Sequence, residues 1–131
     1  MIVVDASALI AVFENEPERH QFGSIIANAD RRMVSTITLL EAGMVARGRR
    51  GAEGLAAMQA IIEQADIEVV PFDANHLALA FEAFERYGKG ISTTARLNLG
   101  DCCSYALAKS LGTPLLFKGN DFSQTDIVSA A

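Results

Sequence analysis

Residues 2–9 of the chain read IVVDASAL. The β-branched run at 2–4 predicts a short strand buried on both faces, as in parallel sheets. The apolar stretch at 6–13 predicts a helix directly after it. Asp5 therefore lies at the carboxyl end of a strand, where open parallel sheets bind ligands. The same position is equally well explained as the N-cap of the helix, because aspartate is a favoured cap.

Short apolar runs recur along the chain and are separated by helical patterns. Further strands are predicted at 33–35, 69–70 and 115–117, and helices at 6–13, 17–30, 37–47, 52–64, 74–87 and 100–112. The order β-α-α-β-α-α-β-α-α-β predicts a three-layer α/β fold, with helices on both faces of a short central parallel sheet. A length of 131 residues is typical of one domain, which we expect to span 1–131.

The composition excludes several classes of protein. Half of the residues are hydrophobic and 21% are charged, which is unlike a disordered chain. No apolar run approaches the ~18 residues of a membrane span, and the N-terminus lacks the basic segment of a signal peptide. We therefore expect a cytoplasmic protein without a membrane partner. The adjacent Cys102 and Cys103 predict no disulfide framework, and the two histidines offer no zinc spacing.

Glu41 is the hardest acidic residue to explain as a surface residue. On a helix over 37–47 it projects from the same side as Ile37, Met44 and Val45, which places it in the middle of an apolar face. A buried carboxylate without a partner costs several kcal/mol. Glu41 is therefore expected to face a cation, a metal ion or a wet cleft. The alternative, which this spacing favours less, is a helix rotated so that Glu41 lies at the rim.

Two aspartates stand at the ends of other predicted elements. Asp101 opens the helix at 100–112, where the helix dipole stabilises acidic residues. Ser104, one turn later, projects to the same side and could bond to a site group. Asp121 follows the last strand within Gly-Asn-Asp, a sequence typical of turns. Taken singly, each aspartate is explained by its local structure.

The four acids indicate more together than they do singly. Strand ends and helix starts can bring them to one end of the sheet: Asp5, Glu41, Asp101 and Asp121. Clustered carboxylates repel one another, so we expect them to share a cation. An all-oxygen site suits Mg²⁺ or Mn²⁺. Such sites commonly perform metal-assisted phosphoryl chemistry.

The net charge of −5 argues at first against a nucleic-acid-binding protein, which usually has a basic excess. Four site carboxylates contribute −4 of this −5, which leaves −1 for the rest of the chain. Bound divalent cations would cancel the charge of the site, so a polyanionic substrate is compatible with the composition. Six basic residues are candidate phosphate contacts: Arg47, Arg49, Arg50, Lys89, Arg96 and Lys118.

The four acids lie in four motifs that follow one another along the chain: IVVDASAL, STITLLEA, LNLGDCCSYALAK and LLFKGNDFSQTDI. In these motifs the chain resembles the PIN-domain ribonucleases, specifically the VapC-type toxins of bacterial toxin–antitoxin pairs. The resemblance covers essentially the whole chain. The last two motifs, in this order and spacing, are the most specific. The resemblance implies a PIN-like α/β/α domain and Mg²⁺- or Mn²⁺-dependent endonucleolytic cleavage of RNA.

By motif position, the resemblance assigns catalytic and metal-binding roles to the acidic quartet Asp5, Glu41, Asp101 and Asp121. It assigns supporting roles to the hydroxyl residues Ser7 and Thr36. Asn120 occupies a place that is often acidic in relatives, so whether it or Asp121 completes the site stays open. Relatives form homodimers and are blocked by a cognate VapB-like antitoxin, whose C-terminal segment lies across the groove of the toxin.

Three other interpretations remain open. A phospho-accepting receiver domain would have an acidic pair at the end of its first strand, where this chain has the single Asp5. A phosphatase with a DxD nucleophile motif would have an acid in place of Ser7. A non-catalytic PIN-like binding module would have no need of four acids. The presence of all four favours the nuclease.

Apolar helix faces indicate protein partners. The helices predicted at 52–64 and 74–87 carry more Leu, Ile, Phe and Met on one side than we expect a chain of this length to bury. We therefore expect a homodimer and a groove that accepts an antitoxin helix. The alternative is that both faces lie wholly in the internal core.

Overall fold

The computed structural model describes residues 1–131 and contains one sheet of four parallel strands. The strands are Ile2–Val4 (β1), Arg32–Ser35 (β2), Glu68–Val70 (β3) and Leu115–Leu116 (β4). Their order across the sheet is β3-β2-β1-β4. Because β1 and β4 are neighbours, the aspartates that follow them, Asp5 and Asp121, leave the sheet at the same edge.

Helices connect all of the strands. They are Ala6–Phe13 (α1), Arg19–Asn28 (α2), Thr36–Gln64 (α3), Ala74–Tyr87 (α4) and Leu99–Leu111 (α5). The bounds of α1 and α4 coincide with the predicted ones, whereas α2 begins after Pro17 and Glu18, where the chain still turns. No helix combines the length and the apolar character that crossing a membrane requires.

The long helix α3 is bent in the middle. Arg50 and Gly51 have non-helical backbone angles, and Gly51 has a φ of 67°, which glycine adopts without strain. The helices predicted at 37–47 and 52–64 are therefore confirmed as two segments of one element.

The central strands supply side chains to two separate cores. Val4 and Val34 lie in a core of 16 buried residues, which α1, α2 and α3 cover. Val3 and Met33 lie in a core of 10 buried residues on the other face, which α4 and α5 cover. Successive strand residues point to opposite faces of the sheet. A strand that is apolar at every position therefore supplies side chains to the cores on both faces. The predicted three-layer α/β fold is confirmed.

The two predicted apolar helix faces differ in burial. Met58 and Ile62, in the second segment of α3, are buried, so the face predicted at 52–64 belongs to the internal core. On α4, by contrast, Phe81 is 65% exposed, and Leu77 and Phe84 are also exposed. The expectation of surplus apolar surface is therefore wrong for the first helix and confirmed for the second.

Candidate active site

The structure places the four predicted acids on four different elements at the carboxyl edge of the sheet. Asp5 follows β1, Glu41 lies in the first segment of α3, Asp101 lies in the first turn of α5 and Asp121 lies in the loop after β4. Burial and then the charge of Asp5 raise the pKa of Glu41. Asp5 and Asp121 also act on Asp101, so the four carboxylates form one electrostatic cluster.

Asp5 is 4% exposed and accepts three hydrogen bonds. The N–H and the hydroxyl of Ser7 donate to Asp5 Oδ2 over 3.0 and 2.6 Å. The hydroxyl of Ser104 donates to Asp5 Oδ1. The N-cap interpretation of Asp5 is confirmed, and donors from α1 and α5 fix its carboxylate in one orientation.

Three hydroxyl residues contact Asp5 or support its contacts, namely Ser7, Ser104 and Thr38. The predicted Thr36 is not one of them. Ser7, which was predicted, contacts Asp5 directly, and Thr38 Oγ1 lies 3.0 Å from Ser104 Oγ in a fully buried pair. Thr36 instead accepts a hydrogen bond of 3.1 Å from the Phe72 N–H and bonds to none of the four acids. Thr38 was not among the predicted site residues, although it lies on the buried, small-residue face of α3.

Asp101 forms a capping box with Asn98. The Asp101 N–H donates to Asn98 Oδ1 over 2.9 Å, and the Asn98 N–H donates to Asp101 Oδ2 over 3.1 Å. Asp101 is also 7% exposed. Burial, followed by the charges of Asp5 and Asp121, raises the pKa of Asp101 to about 7, although the Asn98 N–H acts in the opposite direction. Asp101 therefore completes the capping box of α5, and its negative charge is destabilised by burial and by the other acids of the cluster.

Glu41 is half-buried and lies among Ile37, Met44 and Val45, as its helical spacing predicted, but this side of α3 lines a cavity and not the core. The helix buries a different side, formed by Thr38, Ala42 and Ala46. Of the apolar residues around Glu41, Met44 is 66% exposed, and Ile37 and Val45 are half-buried. Apolar spacing placed Glu41 correctly on its face, but this face lies outside the core.

The Glu41 carboxylate nevertheless faces the site. It lies so close to Gly100 that a β-carbon there would clash with Glu41 Oε1. Glu41 receives no hydrogen bond from the protein, and burial is the main cause of its raised pKa. A half-buried carboxylate without a protein donor requires water or a cation.

Asp121 is exposed, and its side chain reaches that of Asp101. Its neighbour Asn120 supports the turn through the main chain, because the Asn120 carbonyl accepts bonds from the N–H and the hydroxyl of Ser123. The geometry therefore favours Asp121 over Asn120 as the fourth acid of the cluster.

No lysine or arginine forms an ion pair with any of these four acids. Half of the candidate phosphate contacts are bound to acids elsewhere, namely Arg49 and Arg50 to Glu14, and Lys118 to Glu16 and Glu18. The other half are exposed and unpaired, namely Arg47, Lys89 and Arg96. The cluster thus keeps its negative charge.

The donors of the cluster fit a hard divalent cation. All four side chains offer carboxylate oxygens, the ligands that Mg²⁺ and Mn²⁺ prefer. No three acidic, histidine or cysteine side chains converge into a preformed metal cage. Mg²⁺ is often held by only one or two carboxylates and several water molecules. The buried pair Asp5 and Asp101 meets this requirement.

The model of the PIN domain family matches residues 2–128 of this chain. The match includes every strand and helix and all four acids.

Curated proteins similar to this chain over nearly its full length are named as VapC ribonucleases. Ribonuclease VapC30 of Mycobacterium tuberculosis is 39% identical over 130 residues, which are 99% of this chain and 98% of that protein. Ribonuclease VapC of Mycolicibacterium smegmatis is 40% identical over 128 residues, which are 98% of each chain.

Solved structures share the fold. The crystal structure of VapC20 from Mycobacterium tuberculosis, described as a Sarcin-Ricin loop cleaving toxin, has a TM-score of 0.80 at 21% identity and covers 98% of this chain and 97% of that chain. A toxin–antitoxin complex from Klebsiella pneumoniae has a TM-score of 0.73 at 16% identity, with coverage of 100% and 98%.

Proposed function

This chain belongs to the PIN-domain family and, within it, to the VapC ribonucleases, and on this premise we propose that it is the RNA-cleaving toxin of a toxin–antitoxin pair and requires Mg²⁺ or Mn²⁺. The observation that carries the proposal is the buried pair Asp5 and Asp101, which no basic side chain neutralises. Burying two like charges together costs free energy. A divalent cation removes much of this cost.

In this proposal Asp5 and Asp101 are the principal metal ligands, and Glu41 and Asp121 complete the acidic rim. A bound ion would supply the chemistry that activates a water molecule for attack on an RNA phosphodiester and stabilises the leaving oxygen, which would leave a 5′-phosphate on the product. The protein contributes by orientation. Buried hydroxyls hold Asp5, and the Asn98 N–H holds Asp101, so the carboxylates are preorganised before RNA arrives.

The unpaired cations are the proposed contacts to RNA phosphates. Lys89 and Arg96 are exposed on the loop that leads into Asn98 and α5, and Arg47 is exposed on α3 beyond Glu41. None of the three has an acidic partner within the protein. Each phosphate contact adds affinity that decreases with salt.

We also propose a homodimer and a VapB-like antitoxin as protein partners. A wholly apolar cavity of about 380 Å³ lies between α4 and α5 and is bordered by the exposed residues Phe81 and Leu99. Exposed apolar surface of this kind is typical of protein interfaces, and we assign it to the dimer. A second groove of about 790 Å³ runs along α3 beside Met44 and Arg47 and is the proposed antitoxin site. Phe81→Glu should convert a dimer into a monomer by light scattering.

The function is tested by cleavage of single-stranded RNA. We expect Mg²⁺ or Mn²⁺ to support cleavage and EDTA to abolish it. Asp101→Asn, which removes a charge but keeps the size of the side chain, should lower the rate by roughly 100-fold or more. Glu85→Gln, an acid exposed on α4 without an ion pair, is the matched control and should cleave like wild type. Undiminished cleavage in EDTA, or by Asp101→Asn, would refute the proposed mechanism.

A further inference from the structure

We propose that Lys118 is a positioning residue that, through its ion pairs with Glu16 and Glu18, holds the loop after β4 so that Asp121 meets Asp101. This inference rests on the proposed function, since it explains how the fourth acid of that site, Asp121, is positioned. It concerns a basic residue that contacts none of the four acids through its ammonium group.

Both the main-chain N–H and the side-chain ammonium of Lys118 have partners in other parts of the chain. Its N–H donates to Ser7 Oγ over 3.0 Å, and Ser7 in turn donates to Asp5. Its ammonium donates to Glu16 Oε2 over 2.6 Å and lies 3.2 Å from Glu18 Oε2. Residues at the start of α1 and in the turn after it therefore hold one lysine.

The loop that carries Asp121 has little other support. β4 ends at Leu116, and Gly119, with a φ of 94°, turns the chain. Apart from the contact between Asp121 and Asp101 itself, Lys118 is the only residue between 117 and 121 with a hydrogen bond to another part of the chain, because the bonds of Asn120 go to nearby Ser123. The position of Asp121 thus depends on Lys118 and on packing between the rings of Phe117 and Phe122.

The two carboxylates beside Lys118 keep its ammonium charged and hold it in one position. The hydrogen bond to Glu16 and the nearby carboxylate of Glu18 raise the pKa of Lys118. Each of the three side chains is about one-third exposed, at 34%, 33% and 31%. Single surface ion pairs contribute little, but networks with good geometry do contribute. The rival interpretation is that Lys118 binds an RNA phosphate, although both carboxylates would have to release it first.

The test measures binding of Mn²⁺ without RNA, by the rise in melting temperature as Mn²⁺ is added. Lys118→Met should need roughly three- to tenfold more Mn²⁺ for half of the rise, a smaller effect than loss of a residue in direct contact with a ligand. Its melting temperature in EDTA should stay close to that of wild type. Lys118→Arg, which keeps the charge and can bond to both glutamates, should restore binding.

Two further variants complete the design. Glu16→Gln combined with Glu18→Gln removes the anchors but keeps the lysine, and should weaken Mn²⁺ binding to the same extent. Lys109→Met is the matched control, because Lys109 forms a 2.8 Å ion pair of similar exposure with Asp126 at the far end of α5. This control should bind Mn²⁺ like wild type.

The outcomes separate this inference from the proposed function. If wild type binds Mn²⁺ and cleaves RNA while Lys118→Met binds Mn²⁺ equally well, the inference is overturned and the function stands. A higher KM for RNA without any change in Mn²⁺ binding would also overturn it, in favour of a phosphate contact. If wild type neither binds Mn²⁺ nor cleaves RNA, the proposed function fails, and the inference fails with it.

Discussion

Asp5 and Asp101 are both buried at the start of a helix, yet the protein supports them differently. Asp5 accepts three hydrogen bonds from Ser7 and Ser104. Asp101 accepts one, from the Asn98 N–H, and faces two other carboxylates. Burial therefore does not by itself define the role of an acid. The number of hydrogen-bond donors decides how far the protein stabilises the charge of each carboxylate. Asp101, with fewer donors, depends more on an added cation.

The largest expected effect is on the stability of the metal-free protein, which should change in opposite directions when Asp101 and Asp5 are neutralised one at a time. Asp101→Asn removes repulsion and should raise the free energy of unfolding at pH 8 by about 1–3 kcal/mol. Asp5→Asn replaces charge-assisted hydrogen bonds by neutral ones and should lower it by a similar amount. Denaturant unfolding in EDTA measures both.

The gain in stability from Mn²⁺ is the second readout of this pair. Both variants should gain less than wild type, because the gain follows metal affinity. If Asp101→Asn is less stable than wild type in EDTA and yet gains as much from Mn²⁺, then Asp101 is only a helix cap.

The second prediction concerns pH. The raised pKa of Asp101, about 7 against an ordinary 3.8, means that the folded protein holds a proton that the unfolded chain releases between these values. Stability of the metal-free protein should therefore fall as pH rises from about 4 to about 7, and then level off. The raised pKa of Glu41 acts in the same direction.

Unfolding in EDTA at several pH values checks this slope. Asp101→Asn should flatten most of it and leave a smaller slope from Glu41. Equal slopes for wild type and Asp101→Asn would show that the proton resides elsewhere in the cluster.

The order of elements and the positions of Asp5 and Asp101 could be predicted from sequence because their signals are local. Three β-branched residues followed by an aspartate specify a strand end, and Asn98-Leu99-Gly100-Asp101 contains both partners of a capping box. The bend in α3 was also local, since Gly51 allows it. Burial on both sheet faces follows from the apolar runs themselves.

The contacts across the site could not be predicted in this way. Ser104 donates to Asp5 from 99 positions away, and Thr38 meets Ser104 from 66 positions away. Helical periodicity shows which residues share a face, but the face that is buried depends on the neighbouring elements. For this reason periodicity alone placed Glu41 on a buried face. The role of Thr36 came only from the family resemblance, and its hydroxyl instead accepts a hydrogen bond from the Phe72 N–H.

The smallest expected effect tests whether the rim acid Glu41 takes part in the function assigned to the buried pair. In Gly100→Ala the new β-carbon would clash with Glu41 Oε1, so the carboxylate at the end of this flexible side chain must move away. Stability in EDTA should stay equal or rise slightly, because alanine favours helix over glycine by up to about 1 kcal/mol. The Mn²⁺ needed for half-maximal stabilisation should increase by roughly two- to fivefold, less than for a direct ligand. Gly23→Ala in α2 is the control, since a β-carbon there meets nothing within 4 Å and offers the same helical gain. If Gly100→Ala binds Mn²⁺ as wild type does, Glu41 contributes nothing to metal binding, and Asp5 and Asp101 carry it without help from the rim.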